Sequence, residues 1–231
     1  MSVFRLKQLA STSLHAAADA MHWNYDRAEV IADGVVHIIG LCFGLVAATV
    51  LIVLASIYAG ALDIVVSSIY VFGLLAMLGL SAIYNLWPVS RAKWVLRRLD
   101  HSAIYVLIAA TYTPFIMEVK ESVLAILLLI GVWCAAIAGT VVKLKFPGRF
   151  DRLSVGLYLA MGWSGVMLYE PVVKALPAMA LGFIVAGGVF YTLGVVFHAW
   201  QRLRFQNAIW HGFVLGGAAC HYTAVLDIVL K

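Results

Sequence analysis

The stretch NAIWHGFVLGGAACH, residues 207–221, has the apolar character of a membrane-spanning helix but contains one amide and two imidazole side chains. Such groups are costly to bury in hydrocarbon unless they face a partner, a cavity or a metal ion, so they are candidates for a functional role. Asn207 and His211 are four residues apart and therefore project from one helix face. His221 lies roughly 15 Å further along the axis, and we expect it to be a separately hydrogen-bonded interior residue.

The composition of the whole chain is that of an integral membrane protein. Of its 231 residues, 64% are hydrophobic and only 12% are charged, whereas soluble domains carry about 25% charged residues. The net charge of +5 does not indicate a nucleic-acid partner, because basic residues in short loops between apolar segments mark membrane topology. We therefore expect membrane lipids as partners. The three cysteines lie in apolar segments without CxxC spacing, which predicts neither a disulfide framework nor a thiolate zinc site.

Seven segments are long and apolar enough, or nearly so, to cross the bilayer core, which takes about 20 helical residues. Residues 34–231 are therefore predicted to form one all-α domain, a seven-transmembrane helix bundle. Residues 1–33 are predicted to be a cytosolic N-terminal segment, either a plain tail or a short interfacial helix with Val3, Phe4, Leu6 and Leu9 on its apolar face. The predicted spans are Gly34 to Tyr58, Ile64 to Trp87, Asp100 to Met117, Ser122 to Val142, Leu153 to Tyr169, Ala175 to Phe197 and Asn207 to Leu230.

The distribution of basic residues predicts the orientation of the bundle. The N-terminal segment and the second, fourth and sixth loops carry thirteen of the sixteen lysines and arginines, and the opposite side has only Lys120, Lys174 and Lys231. The positive-inside rule then places the N-terminus in the cytosol and the C-terminus outside. This orientation excludes a G-protein-coupled receptor. A retinal protein is excluded because the last predicted span has no lysine at depth for a Schiff base.

Several polar residues are predicted to lie at one depth, near the cytosolic ends of the spans. The spacing of four residues between Ser81 and Asn85, as between Asn207 and His211, puts each pair on one helix face. Each residue alone also has a structural interpretation, such as an interhelical hydrogen bond or, for Asp100, an ion pair with Arg97 and Arg98. Their shared depth favours a common site. The contributing residues are Glu29, Asp33 and His37 from span one, Ser81 and Asn85 from span two, Asp100 and His101 from span three, and Asn207 and His211 from span seven.

Four segments of the chain resemble signature segments of the hemolysin III proteins. They are YDRAEVIADGVVHIIG, LSAIYN, RLDHSAIYVLIAATYTPF and NAIWHGFVLGGAACHYTAVL. Hemolysin III proteins belong with the adiponectin and progestin receptors in the PAQR family, which is similar to the alkaline ceramidases. The resemblance extends over residues 25–230.

The resemblance implies a seven-helix bundle with a cytosolic N-terminus and a zinc ion near the inner leaflet. In the family pattern, one zinc ligand is the histidine of S-x-x-x-H at the end of span two, and two more come from H-x-x-x-H at the start of span seven. Carried over, Ser81 matches the serine, Asp100 the aspartate that positions the metal-bound water, and His211 the last ligand. The chain departs from the pattern at two ligand positions, which are occupied by Asn85 and Asn207.

These substitutions leave three hypotheses for function. The first is a lipid-interacting or regulatory membrane protein with a depleted zinc site, in which the polar residues hydrogen-bond to one another. The second is a metal-dependent hydrolase of lipid amide or ester bonds, with Ser81 and Asp100 as catalytic residues and with His37, His101 or Glu29 replacing or supporting the missing ligands. The third, a pore-forming cytolysin, follows only from the family's name. The short loops and the resemblance favour a bacterial inner membrane.

Overall fold

The structure is a computed structural model that describes residues 25–146 and 150–231. The interfacial helix predicted around Val3 to Leu9 lies outside these residues. The described residues are helical and contain no strand. In chain order the helices are α1 (Arg27–Tyr58), α2 (Ala61–Leu86), α3 (Arg91–Met117), α4 (Val123–Lys145), α5 (Asp151–Trp163), a 3-10 helix (Ser164–Leu168), α6 (Tyr169–Ala175), α7 (Ala178–Ala199) and α8 (Gln206–Val229).

Five of these helices, α1, α2, α4, α7 and α8, are long and apolar enough to cross a membrane, which indicates a multi-pass membrane protein. Helix α3 has sufficient length, but Asp100, His101 and several hydroxyl side chains lower its hydropathy. It also begins at Arg91, earlier than the predicted Asp100. Helix α1 likewise begins at Arg27 instead of Gly34, because Asp26 and Glu29 form a capping box there.

The fifth predicted span, Leu153 to Tyr169, was wrong as one continuous helix. It divides into α5, the 3-10 helix and α6. The hydroxyl of Tyr112 on α3 stabilises the break, because it accepts a hydrogen bond from the backbone N–H of Gly165 (2.7 Å) and lies within hydrogen-bonding distance of the Met161 carbonyl oxygen (2.8 Å). Backbone groups that a regular helix would pair internally therefore find a side-chain partner here.

Helices that are consecutive in sequence pack side by side from α1 to α4, and α8 packs between α7 and α1. Close approach is possible where small residues face each other. A Cβ atom added at Gly73 of α2 would lie 2.6 Å from the Cβ of Ala110 on α3, so glycine lets these two helices meet almost backbone to backbone. This arrangement makes α1, α2 and α8 neighbours in the bundle, with α3 beside α2.

Contacts at the two ends of the bundle show which helix ends lie together. At one end, the backbone N–H of Phe205 before α8 donates to Glu29 at the start of α1 (3.1 Å), and Arg204 pairs with Asp26. At the other end, Lys231 pairs with Glu118, which follows α3. The starts of α1 and α8 therefore share one end, and the C-terminal residue lies at the other.

Asp151 ties three helices together at the end where α1 begins. Its carboxylate accepts hydrogen bonds from Arg97 of α3 (2.8 Å) and Lys143 of α4 (2.6 Å). Burial by itself would raise the pKa of Asp151, but the charge of Arg97 and the hydrogen bonds from Arg97 and Lys143 outweigh that effect and hold the pKa well below its ordinary value. The ionised carboxylate thus anchors the short helix α5.

Replacing Asp151 by Asn should lower the free energy of unfolding by roughly 1–3 kcal/mol at pH 7, measured as a lower Tm in detergent. The loss should be smaller than the 3–5 kcal/mol typical of a broken buried pair, because the Asp151 side chain is 36% exposed. The lowered pKa means that the wild-type advantage is present above the unfolded pKa of about 3.9 and declines as the pH falls below it.

The control is Glu170→Gln, which removes a carboxylate from an ion pair whose side chains are 73% and 78% exposed. This variant should unfold close to the wild-type temperature. The role given to Asp151 would be contradicted if the two substitutions lowered Tm equally. It would also be contradicted if the Tm difference between wild type and Asp151→Asn stayed the same at low pH.

Candidate functional site

Polar side chains from α1, α2 and α8 meet near the end of the bundle where α1 begins. We call this cluster the polar centre. It is enclosed mainly by apolar residues, and two of its members, Asp33 and His37, are only 6% and 7% exposed. Buried polar groups of this kind need hydrogen-bond partners to be stable. The polar centre consists of Asp33 and His37 of α1, Ser81 and Asn85 of α2, and Asn207 and His211 of α8.

The carboxylate of Asp33 is the acceptor at the middle of the polar centre. One of its oxygens receives a hydrogen bond from the Asn207 side-chain amide (2.9 Å), and the other lies 2.6 Å from Nδ1 of His211. An ionised carboxylate can only accept. The amide nitrogen of Asn207 and the Nδ1–H of His211 must therefore both point at Asp33.

The position of His37 on α1 fixes its protonation pattern. Its Nδ1 lies 2.8 Å from the backbone carbonyl of Asp33, one helical turn earlier. Because a carbonyl oxygen only accepts, Nδ1 carries the hydrogen, and Nε2 of the neutral ring presents a lone pair. The hydroxyl of Ser81 lies 3.2 Å from this Nε2 and can donate to it. The rings of His37 and His211 pack edge to face, with 4.3 Å between their centroids.

The two asparagine side chains connect α8 to α2. The second hydrogen of the Asn207 amide points to the Asn85 side-chain oxygen at 3.1 Å, and the Asn85 amide donates to the backbone carbonyl of Ser81 at 2.9 Å. Each hydrogen-bond donor in this series of contacts lies next to a group that can accept. The hydrogen bonds therefore form one connected network from Asp33 through Asn207 and Asn85 to Ser81 and His37.

Asp100 of α3 borders the polar centre. It is 8% exposed, and its side chain interacts with Ser81. Of the residues predicted to share one depth, the structure brings together Asp33, His37, Ser81, Asn85, Asn207 and His211, with Asp100 beside them.

Of the two remaining predicted residues, His101 lies away from the polar centre and Glu29 lies at its border. His101 lies 4.0 Å from Asp151 and packs against Tyr84, outside the polar centre. The carboxylate of Glu29 accepts from the backbone N–H groups of Asp26 and Phe205 and lines the cavity that leads to Asp33. His221, as expected, is bonded separately, with its Nε2 3.2 Å from the carbonyl of Ile184.

The central role of Asp33 was missed in the sequence, where it counted only as one of three polar residues entering span one. The spacing of four residues between Asp33 and His37 could have indicated this role, because it puts both side chains on one face of α1. The same face carries Gly34 and Gly40, so it packs against other helices and does not face lipid.

Asp33, His37 and His211 form a group that could hold a metal ion. Each offers a ligand atom, and these atoms lie within 4.8 Å of one another. Two imidazoles and one carboxylate form a set of ligands found in catalytic zinc sites. The residues present therefore fit zinc in type and spacing. His37, Ser81 and His211 also line a cavity of about 20 Å³, which has room for one water molecule.

Comparison with known proteins identifies the family. The sequence profile described as "Haemolysin-III related" matches residues 27–222. The chain is 37% identical over 203 residues to a hemolysin-3 homolog of Bacillus subtilis, covering 88% of this chain and 95% of that protein. It is 35% identical over 202 residues to hemolysin-3 of Bacillus cereus, covering 87% and 92%.

More distant similarity extends to animal proteins. The monocyte to macrophage differentiation factor of Homo sapiens is 31% identical over 163 residues, which cover 68% of this chain and 67% of that protein. The residues matched by the family profile, 27–222, include every member of the polar centre. The chain therefore belongs to the haemolysin-III-related family of membrane proteins, with relatives in the wider PAQR group.

Proposed function

We propose that this protein is a lipid-interacting or regulatory member of the family in a bacterial plasma membrane, and that hydrogen bonds hold its polar centre together in place of a resident zinc ion. The observation that carries this proposal is the Asn207 amide, which donates to both Asp33 and Asn85. A zinc ligand must present a lone pair to the ion. Asn207 presents N–H bonds instead.

The second substituted position supports the same conclusion. The Asn85 side-chain oxygen, the one side-chain atom of that residue that could bind a cation, accepts from Asn207. Its amide nitrogen is used by the Ser81 carbonyl. The two asparagines thus satisfy each other and their neighbours, which is the expected outcome of a site that has exchanged ligands for hydrogen-bonding groups.

Exposed apolar side chains on the long helices support an interaction with lipid. Phe43 on α1 and Phe72 on α2 are 69% and 68% exposed, as expected of helices that face acyl chains. The cavity lined by His37, Ser81 and His211 has room for one water molecule and is too small for a lipid.

We further propose that the chain crosses the membrane seven times, with a cytosolic N-terminus and an external C-terminus. Helix α3 and the divided segment from α5 to α6 supply the two passes beyond the five apolar helices. The contacts of Glu29 with Phe205 and of Lys231 with Glu118, at opposite ends, support this alternation. The thirteen basic residues of the predicted cytosolic side support the orientation.

Single cysteines introduced in a background without the native cysteines should report this orientation. A membrane-impermeant maleimide added to intact spheroplasts should label Lys174→Cys but label Arg202→Cys only after the membrane is permeabilised, because the two exposed positions lie on opposite sides. Detergent-solubilised protein, in which both cysteines should react, is the control. Labelling of Arg202→Cys in intact spheroplasts would contradict the proposed orientation.

The absence of resident zinc is tested by elemental analysis of protein purified through a tag that needs no metal resin. Wild-type protein should contain well under one zinc per chain. The double variant Asn85→His/Asn207→His should approach one zinc per chain and gain in Tm, because it supplies two imidazole ligands beside His211.

The matched control introduces histidine at two exposed positions away from the centre, as in Lys120→His/Lys174→His. Neither lysine belongs to the polar centre, so zinc content should stay at the wild-type level. Unchanged zinc content and Tm in the Asn85→His/Asn207→His variant would refute a depleted zinc site.

A second candidate, a metal-dependent lipid hydrolase, is favoured by one observation, the grouping of Asp33, His37 and His211. These three residues would hold the zinc, whose contribution when bound is a water with a lowered pKa. In this case the Nε2 lone pair of His37 already faces the centre, and Asp100 beside Ser81 is placed to accept a proton from a substrate-side water.

The hydrolase candidate makes its own measurable prediction. Zinc-loaded protein in detergent-lipid micelles would release fatty acid from lipid esters or amides, and Asp100→Asn would reduce the rate by 100-fold or more, as loss of a general base does. Asp63→Asn, which changes a carboxylate at the start of α2 away from the polar centre, is the control. Absence of turnover by zinc-loaded wild-type protein would exclude this candidate.

A further inference from the structure

Positive charge is concentrated where α3 begins, α4 ends and α5 begins. We call this surface the basic rim and define it by Arg97, Arg98, Lys143, Lys145 and Arg152. It belongs to different helices from the polar centre, which is built from α1, α2 and α8. The hydrogen-bond network around Asp33 therefore does not explain why so many basic residues lie at this surface.

Buried cations of the basic rim outnumber their carboxylate partners. Lys143 and Arg97 have side chains that are 2% and 16% exposed, and both pair with the single carboxylate of Asp151. Arg97 also interacts with the charge of Asp100, three residues later on α3. Arg98, Lys145 and Arg152 make no ion pair among the described residues, so the rim keeps a positive surplus. A buried charge is stable only with a counter-charge, so this surplus favours an anion.

Arg98 supplies donors that the described part of the protein does not use fully. Its Nε atom is buried without a hydrogen-bond partner among the described residues, and its Nη1 makes a 3.4 Å hydrogen bond to the carbonyl of Leu144. A guanidinium group presents its N–H donors in a planar fork that matches phosphate oxygens. An acceptor with several oxygens would satisfy this side chain.

The surroundings of the rim specify a lipid as the source of that acceptor. Lys145 and Arg152 are exposed beside it. Exposed apolar side chains lie on the same helices: Leu153 (60%) follows Arg152 on α5, and Ile137 (61%) lies about two turns before Lys145 on α4. Basic residues at the membrane surface beside exposed apolar helix faces are an arrangement that binds anionic lipid headgroups.

We propose that the basic rim is a binding site for an anionic phospholipid, with the headgroup phosphate at Arg98 and Arg152 and an acyl chain along α4 and α5. The site is separate from the polar centre and is expected whether or not zinc binds there. An anionic phospholipid at this site would give the proposed lipid-interacting function a lipid class. Binding of the lipid can be measured whether or not that function is correct.

The test measures binding of phosphatidylglycerol and phosphatidylcholine to delipidated protein by native mass spectrometry. Wild-type protein should retain phosphatidylglycerol at least tenfold more strongly than phosphatidylcholine. Arg98→Gln/Arg152→Gln should lose about tenfold in phosphatidylglycerol affinity, because two contacts to the phosphate are removed. The matched control, Lys120→Gln/Lys174→Gln, removes the same charge at the opposite end and should bind like wild type.

Two further measurements complete the test. Inorganic phosphate at millimolar concentration should not displace phosphatidylglycerol, and displacement would identify a site for free phosphate in place of lipid. If the double variant is not monodisperse, Arg152→Gln alone carries the test, because this exposed side chain can be changed without disturbing the core. Equal phosphatidylglycerol affinity of the rim variant and the control variant would overturn the proposal.

Discussion

The polar centre depends on one buried carboxylate, that of Asp33. Because Asp33 is 6% exposed, each of its acceptor atoms requires a donor from the protein, and the donors come from Asn207 and His211 of α8. Its backbone carbonyl orients His37 at the same time. Asp33 thus joins α1 to α8, and the Asn207 contact to Asn85 extends the connection to α2.

The same atoms explain why two functions compete for this site. Asp33, His37 and His211 offer donors suited to zinc within 4.8 Å of one another. Asn207 and Asn85 occupy the two positions at which the resemblance to the family implies histidines, and their amides donate hydrogen bonds where an imidazole would present a lone pair. If the side chains at these two positions donate hydrogen bonds, the site is a closed hydrogen-bond network. If they present lone pairs to the centre, the site can bind a metal ion.

Helix α3 links the polar centre to the basic rim. Asp100 on this helix faces Ser81, whereas Arg97, three residues earlier, faces Asp151 on α5. The helix therefore carries several polar side chains near one end, which explains why its composition is less apolar than that of the other long helices. A membrane helix that carries such groups must be buried by its neighbours, and α3 lies beside both α2 and α4.

The sequence by itself determined the all-helical membrane class, the family, and the polar residues that end or begin the spans, because hydropathy, charge and spacing act locally along one helix. It also placed Ser81, Asn85, Asn207 and His211 at one depth. Only the tertiary structure made Asp33 the central acceptor, paired His37 with Ser81, put His101 beside Asp151, and divided the fifth span around Tyr112. Those features depend on which helix faces which, and local periodicity does not specify the partner of a buried polar atom.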